Sequence, residues 1–155
     1  MSGDFPLWFE ITPALAKRAA QIKLVLFDVD GVLTDGRLFV DNNGEEYKAF
    51  NSRDGHGMKM LQRNGVAIGI ITGRTSRIVE HRMRELGILH VRQGCQEKLP
   101  EYERLIQELG LQPGQVAAQR CGRKHIHPLH LGGHALLGQP RLQRRHLIVQ
   151  QCDEA

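Results

Sequence analysis

Residues 24–27, LVLF, and 66–71, VAIGII, contain no polar side chain. A strand with one wet face alternates apolar and polar residues, whereas a run that is apolar at every position belongs to a strand covered on both faces. Segments with helical spacing separate and follow these runs, so the pattern predicts an α/β chain: a Rossmann-like parallel sheet with helices on both faces. Ligands of such sheets sit beyond the carboxyl ends of the strands. Both runs end in a polar turn, Asp28-Val-Asp30-Gly31 after the first and Thr72-Gly73-Arg74 after the second.

The rest of the chain can be placed around these two strands. Thr12-Pro13 is an N-cap and first-turn pair, opening a helix that runs to about Ala20. Strand-like segments 38–40 and 46–50 flank Asn42-Asn43-Gly44, a turn that tolerates positive φ, and predict an inserted β-hairpin. After Asn51-Ser52-Arg53-Asp54-Gly55 a helix is expected with Met58, Leu61 and, at its margin, Met60 inward, ending at Asn64-Gly65. A third helix over 75–86 turns Ile78, Met83 and Leu86 inward and stops at Gly87. A strand at 88–91 follows, then a helix over 97–109 that tolerates Pro100 because it lies in the first turn. Val116-Ala117 begins a fourth strand.

With 155 residues the chain has the size of one domain with a single core. Its net charge of +4 arises entirely after residue 117: residues 1–117 hold fifteen basic and fifteen acidic side chains, and 118–155 hold six and two. The basic balance is therefore no property of the domain body, and no nucleic-acid partner is expected. The N-terminus carries Asp4 and Glu10 and no basic segment ahead of an apolar run, unlike a secretory signal. No apolar stretch approaches the ~20 residues of a membrane span, so no membrane partner is expected either. Cys95, Cys121 and Cys152 lack C-x-x-C spacing, which fits a reducing, cytoplasmic location.

Chemistry concentrates at the strand ends. Asp28 and Asp30 are two apart at a strand tip, where close carboxylates repel unless a divalent cation lies between them. Such a pair can also divide labour, one oxygen attacking as nucleophile and the other moving a proton. An Asp-Gly turn, or the D-x-D metal site of nucleotide-sugar transferases, would use the same residues. Thr72-Gly73-Arg74 offers a hydroxyl, free amides and a bidentate cation to a phosphate, and equally reads as an ordinary strand-to-helix turn. Lys98 stands where the third strand would deliver a cation to the same rim, though a solvated lysine is its plainer reading. Taken together, two carboxylates, a hydroxyl and a lysine closing successive strands make a phosphoryl-transfer constellation.

These motifs resemble the haloacid dehalogenase superfamily of phosphatases: Asp28-Val-Asp30-Gly-Val-Leu-Thr-Asp35-Gly36, Ile71-Thr72-Gly73-Arg74 and Lys98 match its first three motifs. The segments around 42–55, and Gln93-Gly94 with Lys98, are similar to its capless branch acting on 3-deoxy-D-manno-octulosonate 8-phosphate in lipopolysaccharide precursor synthesis. The resemblance covers roughly residues 10–117 and implies a Mg²⁺-dependent phosphomonoesterase that works through an aspartyl-phosphate. It implies Asp28 as nucleophile, Asp30 as general acid and base, and Thr72 and Lys98 as stabilisers of the phosphoryl group. Mg²⁺ would be held by the Asp28 side chain and the Asp30 carbonyl. Asn51, Ser52, Arg53, Asp54, Gly55, Lys59, Arg74 and Arg82 would line a sugar acid phosphate. The implied assembly is a homotetramer in which the hairpin at 37–50 helps close a neighbour's site. A nine-carbon sugar acid phosphate is a second substrate reading, and an inactive sugar-phosphate-binding or assembly subunit is a third.

The superfamily's fourth motif is an acidic pair after the fourth strand. It should fall near Cys121 and Gly122, yet no Asp or Glu occurs between Leu109 and Cys152. The sequence therefore divides into a phosphatase-like domain, 1–117, and a basic, histidine-rich tail, 118–155, holding His125, His127, His130, His134 and His146. The abrupt change of composition is read as a change of reading frame near residue 118. A transition-metal site at His125, His127 and His130, a nucleic-acid tail and a solvated tail are the other readings.

Overall fold

The structure, a computed structural model, describes residues 11–119. The tail from residue 120 onward, with its histidines, Cys121 and Gly122, lies outside the described residues, as does the expected acidic motif.

Helix α1 (Pro13–Ala19) is capped by Thr12, whose hydroxyl oxygen accepts the Leu15 amide, and it buries none of its residues. The sheet is built from β1 (Leu24–Phe27), β4 (Ala67–Ile71), β5 (His90–Arg92) and β6 (Val116–Gln119). All of its neighbours are parallel, in the order β5-β4-β1-β6. A separate antiparallel pair, β2 (Phe39–Val40) with β3 (Glu46–Tyr47), is the expected hairpin, with a shorter ladder than the sequence indicated. Its turn is held by Asp41, whose Oδ1 accepts the amides of Asn43 and Glu45, and it is completed by Gly44 at φ +82°. Those amide hydrogen bonds hold the Asp41 carboxyl below its usual range.

The continuous apolar strands are two-faced, as expected. Phe27, Ile68 and Ile70 pack with Met58, Val79 and Met83 of helices α2 (Ser52–Arg63) and α3 (Arg77–Leu86). On the other side Leu24, Leu26, Ile71 and Val116 pack with Tyr102 and Leu105 of helix α4 (Lys98–Glu108). Gly69 faces α4, and a Cβ there would meet Leu26 Cδ2 at 2.6 Å and Leu105 Cδ2 at 3.3 Å. The missing side chain is what lets the helix settle onto the strand.

Four expectations need correction. Helix α2 begins at Ser52, not after Gly55: Asn51 is its N-cap, accepting the Arg53 amide, so Arg53, Asp54 and Gly55 form the first turns. Met60 is 51% exposed while Met58 is buried, so the apolar stripe is narrower than expected. In α3 the buried position is Val79 and Ile78 is only half-buried. Strand β5 starts at His90 because Ile88 is used to close α3, its amide donating to Met83 O behind the left-handed Gly87.

Candidate active site

The carboxyl ends of β1, β4 and β5 form one rim. Phe27 pairs with Ile70 in parallel register, so Asp28 leaves β1 level with Ile71, and Thr72 follows one residue later at the same end of the sheet. The Asp28 amide donates to Gln119 O at 3.0 Å, continuing the β6 ladder, and its Oδ1 accepts the Val29 amide at 2.8 Å. Its Oδ2 lies 2.6 Å from Lys98 Nζ, at the first turn of α4. The nucleophile candidate is thus tied by backbone, by side chain and by an ion pair. The Asp28 and Lys98 side chains are 15% and 24% exposed, so the pair is largely shielded but still reaches water.

The loop after Asp28 doubles back tightly. Val29 O accepts the amides of Val32, Leu33 and Thr34, and Gly31 takes φ +80°, a conformation suited to glycine. Thr34 is buried, and its hydroxyl oxygen accepts the Gly31 and Gly36 amides, which locks the turn. Asp30 emerges from this loop with Oδ1 2.6 Å from Lys48 Nζ and Oδ2 3.9 Å from Arg74 Nε. Arg74 in turn holds Glu46 at 2.6 Å, and Lys48 lies 3.3 Å from the same carboxylate oxygen.

Thr72 is 2% exposed. Its amide donates to Arg92 O and its carbonyl accepts the Cys95 amide, so the turn is held from the β5 side. Gln93 contributes as well: its Oε1 accepts the Ser76 amide at 2.9 Å, in place of a side-chain cap on α3. Burial, with the Glu101 charge nearby, pushes the Cys95 thiol up from its usual range.

Asp28, Asp30, Thr72, Arg74 and Lys98 are therefore gathered at one rim. The other expected site residues stand apart from them. Asn51, Ser52 and Asp54 line a cleft of about 430 Å³ with Thr34, Asp35 and Phe50. Arg53 and Lys59 are exposed on α2. Arg82 pairs with Glu85 at 2.7 Å and lies over Gly55, where an added Cβ would sit 2.6 Å from its Nη2. Among the described residues no hydrogen bond or ion pair joins this second group to Asp28, Asp30 or Lys98.

Lys48 and Glu46 were given no role from sequence, and Gln93 entered only as part of a motif match. A signal for the first two existed: Glu46, Lys48 and Phe50 share one face at period two, and half-buried Phe50 shows that this face turns inward.

The cation donors that the resemblance implies, the Asp28 carboxylate and the Asp30 carbonyl, are both oxygen. Among the described residues there is no group of three His, Cys, Asp or Glu placed to hold a metal. One carboxylate plus a carbonyl suits Mg²⁺, which keeps several waters and takes phosphate oxygens as further ligands.

No family model matches the sequence. The chain is 43% identical over 107 residues to 3-deoxy-D-manno-octulosonate 8-phosphate phosphatase KdsC of Salmonella typhimurium, covering 69% of this chain and 57% of that protein. It thus spans little more than half the length of this relative. Among solved structures it is similar to the Moraxella catarrhalis 3-deoxy-D-manno-octulosonate 8-phosphate phosphatase in complex with magnesium, phosphate and KDO. That likeness has a TM-score of 0.64 and 41% identity, over 66% of this chain and 59% of the other. The cobalt-bound phosphatase of Haemophilus influenzae gives 0.63 and 40%, over 65% and 59%.

Proposed function

Residues 11–119 form a haloacid dehalogenase fold related to the 3-deoxy-D-manno-octulosonate 8-phosphate phosphatases, and from that premise we propose that the chain hydrolyses this sugar acid phosphate. The observation that carries the proposal is Asp28 Oδ2 held 2.6 Å from Lys98 Nζ at the tip of β1, with Asp30 and Thr72 on the same rim.

The Asp28 carboxylate attacks phosphorus, and the sugar C8 oxygen leaves as Asp30 gives it a proton. Asp30 then takes a proton from the water that attacks the aspartyl-phosphate, freeing phosphate and restoring Asp28. Lys98 and the Thr72 hydroxyl face the phosphoryl oxygens, where positioned charge does most of the catalysis. Mg²⁺ held by the Asp28 carboxylate and the Asp30 carbonyl would supply further positive charge against those oxygens. Arg74, Arg82 and Lys59 supply cations for the sugar carboxylate, and Asn51, Ser52, Arg53, Asp54 and Gly55 line the sugar. We take the assembly to be a homotetramer, for which the exposed Leu38, Phe39, Val40 and Tyr47 on the hairpin offer an apolar contact surface.

The test is phosphate release from the octulosonate ester, run against a nine-carbon sugar acid phosphate. Release that requires added Mg²⁺, stops with a chelator and prefers the eight-carbon ester by kcat/KM is the expected result. A second reading, a non-catalytic sugar-phosphate-binding subunit, is favoured by one observation: the stretch between Leu109 and Cys152 has no acid to complete the cation's shell. Sugar phosphate binding without release would establish it. We read residues 118–155 as off-frame, and sequencing the coding DNA for an acidic pair in another frame tests that directly.

Gly55→Ala separates substrate binding from chemistry. The new methyl displaces the Arg82 guanidinium and presses Leu86 at 3.1 Å, while the change itself favours helix by up to ~1 kcal/mol. Tm should move little, and KM for the sugar acid should rise several-fold with kcat nearly unchanged.

A further inference from the structure

Lys48 is the most buried cation at the rim, its side chain 2% exposed, and the reaction as described does not use it. A lysine in that setting is costly unless paired. Here it is paired twice, to Asp30 Oδ1 at 2.6 Å and to Glu46 Oε1 at 3.3 Å. Arg74 closes the circuit, with Nη2 2.6 Å from the same Glu46 oxygen and Nε 3.9 Å from Asp30 Oδ2. Charges alternate in sign around this ring and sum to zero. The four residues come from three separate parts of the chain: the loop after β1, the end of the hairpin, and the turn after β4.

We propose that Lys48 is a positioning residue for Asp30, the closed end of a latch Asp30–Lys48–Glu46–Arg74 through which docking of the hairpin fixes the acid–base carboxylate. The catalytic part of this rests on the phosphatase reading above; the latch itself does not. The short bond to Lys48 fixes the rotation of the carboxylate through Oδ1, and Oδ2, with Arg74 Nε no nearer than 3.9 Å, is the oxygen left to meet a leaving group. A buried ion pair alone is weak support for stability, since apolar replacements are often neutral. The informative readout is therefore one that only Asp30 chemistry moves.

Leaving-group dependence is such a readout. A sugar alkoxide needs a proton as it departs, whereas p-nitrophenolate leaves without one. In the full chain with Mg²⁺, Lys48→Met should lower kcat/KM for the sugar phosphate by about 10²-fold or more, the range of general-acid catalysis. The p-nitrophenyl ester should change less than ~3-fold, and Lys48→Arg should recover part of the loss. In an Asp30→Asn background Lys48→Met should cost nothing further. Equal losses on both esters overturn the proposal, because they mean that Lys48 only supports the fold. Thermal melts of the same four proteins read the latch without activity. The Tm losses of Lys48→Met and Asp30→Asn should sum to more than the loss in the double variant, and simple additivity overturns the latch. If the wild type releases phosphate from neither ester, the phosphatase reading fails, and the melts still decide whether Lys48 and Asp30 are coupled.

Discussion

Asp28→Asn is expected to abolish phosphate release, with a loss on the order of 10³-fold or more, while the protein stays folded. The amide is nearly isosteric and keeps an oxygen for the Val29 amide, and the backbone bond from Asp28 to Gln119 O is untouched. What disappears is the negative charge proposed to attack phosphorus, together with the partner of Lys98. Lys98 is 24% exposed and can turn toward water, so the stability cost should stay near that of a partly exposed ion pair, about 1 kcal/mol or less. Phosphate release and a thermal melt, measured together, separate a chemical defect from unfolding. Equal release by wild type and variant would falsify the assignment of Asp28.

The largest expected stability effect is at Leu105. This side chain is fully buried and packs with Leu24, Leu26, Ile71, Tyr102 and Val116, directly over Gly69. Helix α4 is the helix that covers this face of the sheet among the described residues. Leu105→Ala removes methyl groups that the packed helix cannot replace by small shifts, and core truncations of this kind cost roughly 2–5 kcal/mol. In a domain of this size Tm should drop by roughly 10 °C or more. Since α4 begins with Lys98, loosening the helix should also blunt the Lys98–Asp28 pair. Phosphate release should then decline at temperatures below the melt. A Tm shift under a few degrees would show that the sheet face repacks around the hole.

The site was legible in part because its key residues close continuous apolar runs. The strands at 24–27 and 66–71 were recognisable without any long-range knowledge, and their ends deliver Asp28, Asp30 and Thr72 to one rim. Lys98 was legible through the same logic of strand ends. Helix α2 was misplaced for a local reason. The segment ending in Gly55 read as loop, yet the Asn51 cap and the packing of Gly55 beneath Arg82 override that propensity. In α3, adjacent Ile78 and Val79 compete for the inward position, and the helix rotation that buries Met83 and Leu86 selects Val79. Lys48 was missed for a different reason: its place on one face with Phe50 was readable, but its partner was not. Its partner Asp30 is 18 residues away, and the hairpin carrying it reads as a surface insertion. Charge pairing across a fold leaves no periodic trace in sequence.

The edge of the sheet has a consequence of its own. Strand β6 is joined to β1 through backbone atoms at Leu24↔Val116, Val25↔Ala117, Leu26↔Ala118 and Phe27↔Gln119, and the last rung is the amide of Asp28 itself. Such a ladder is indifferent to spelling: any small residue without a ring on its nitrogen can fill the rungs at 118 and 119. A text that changed its meaning at this point would still be typeset in the same column. Asp28 would remain aimed by its neighbour strand, whatever words came next.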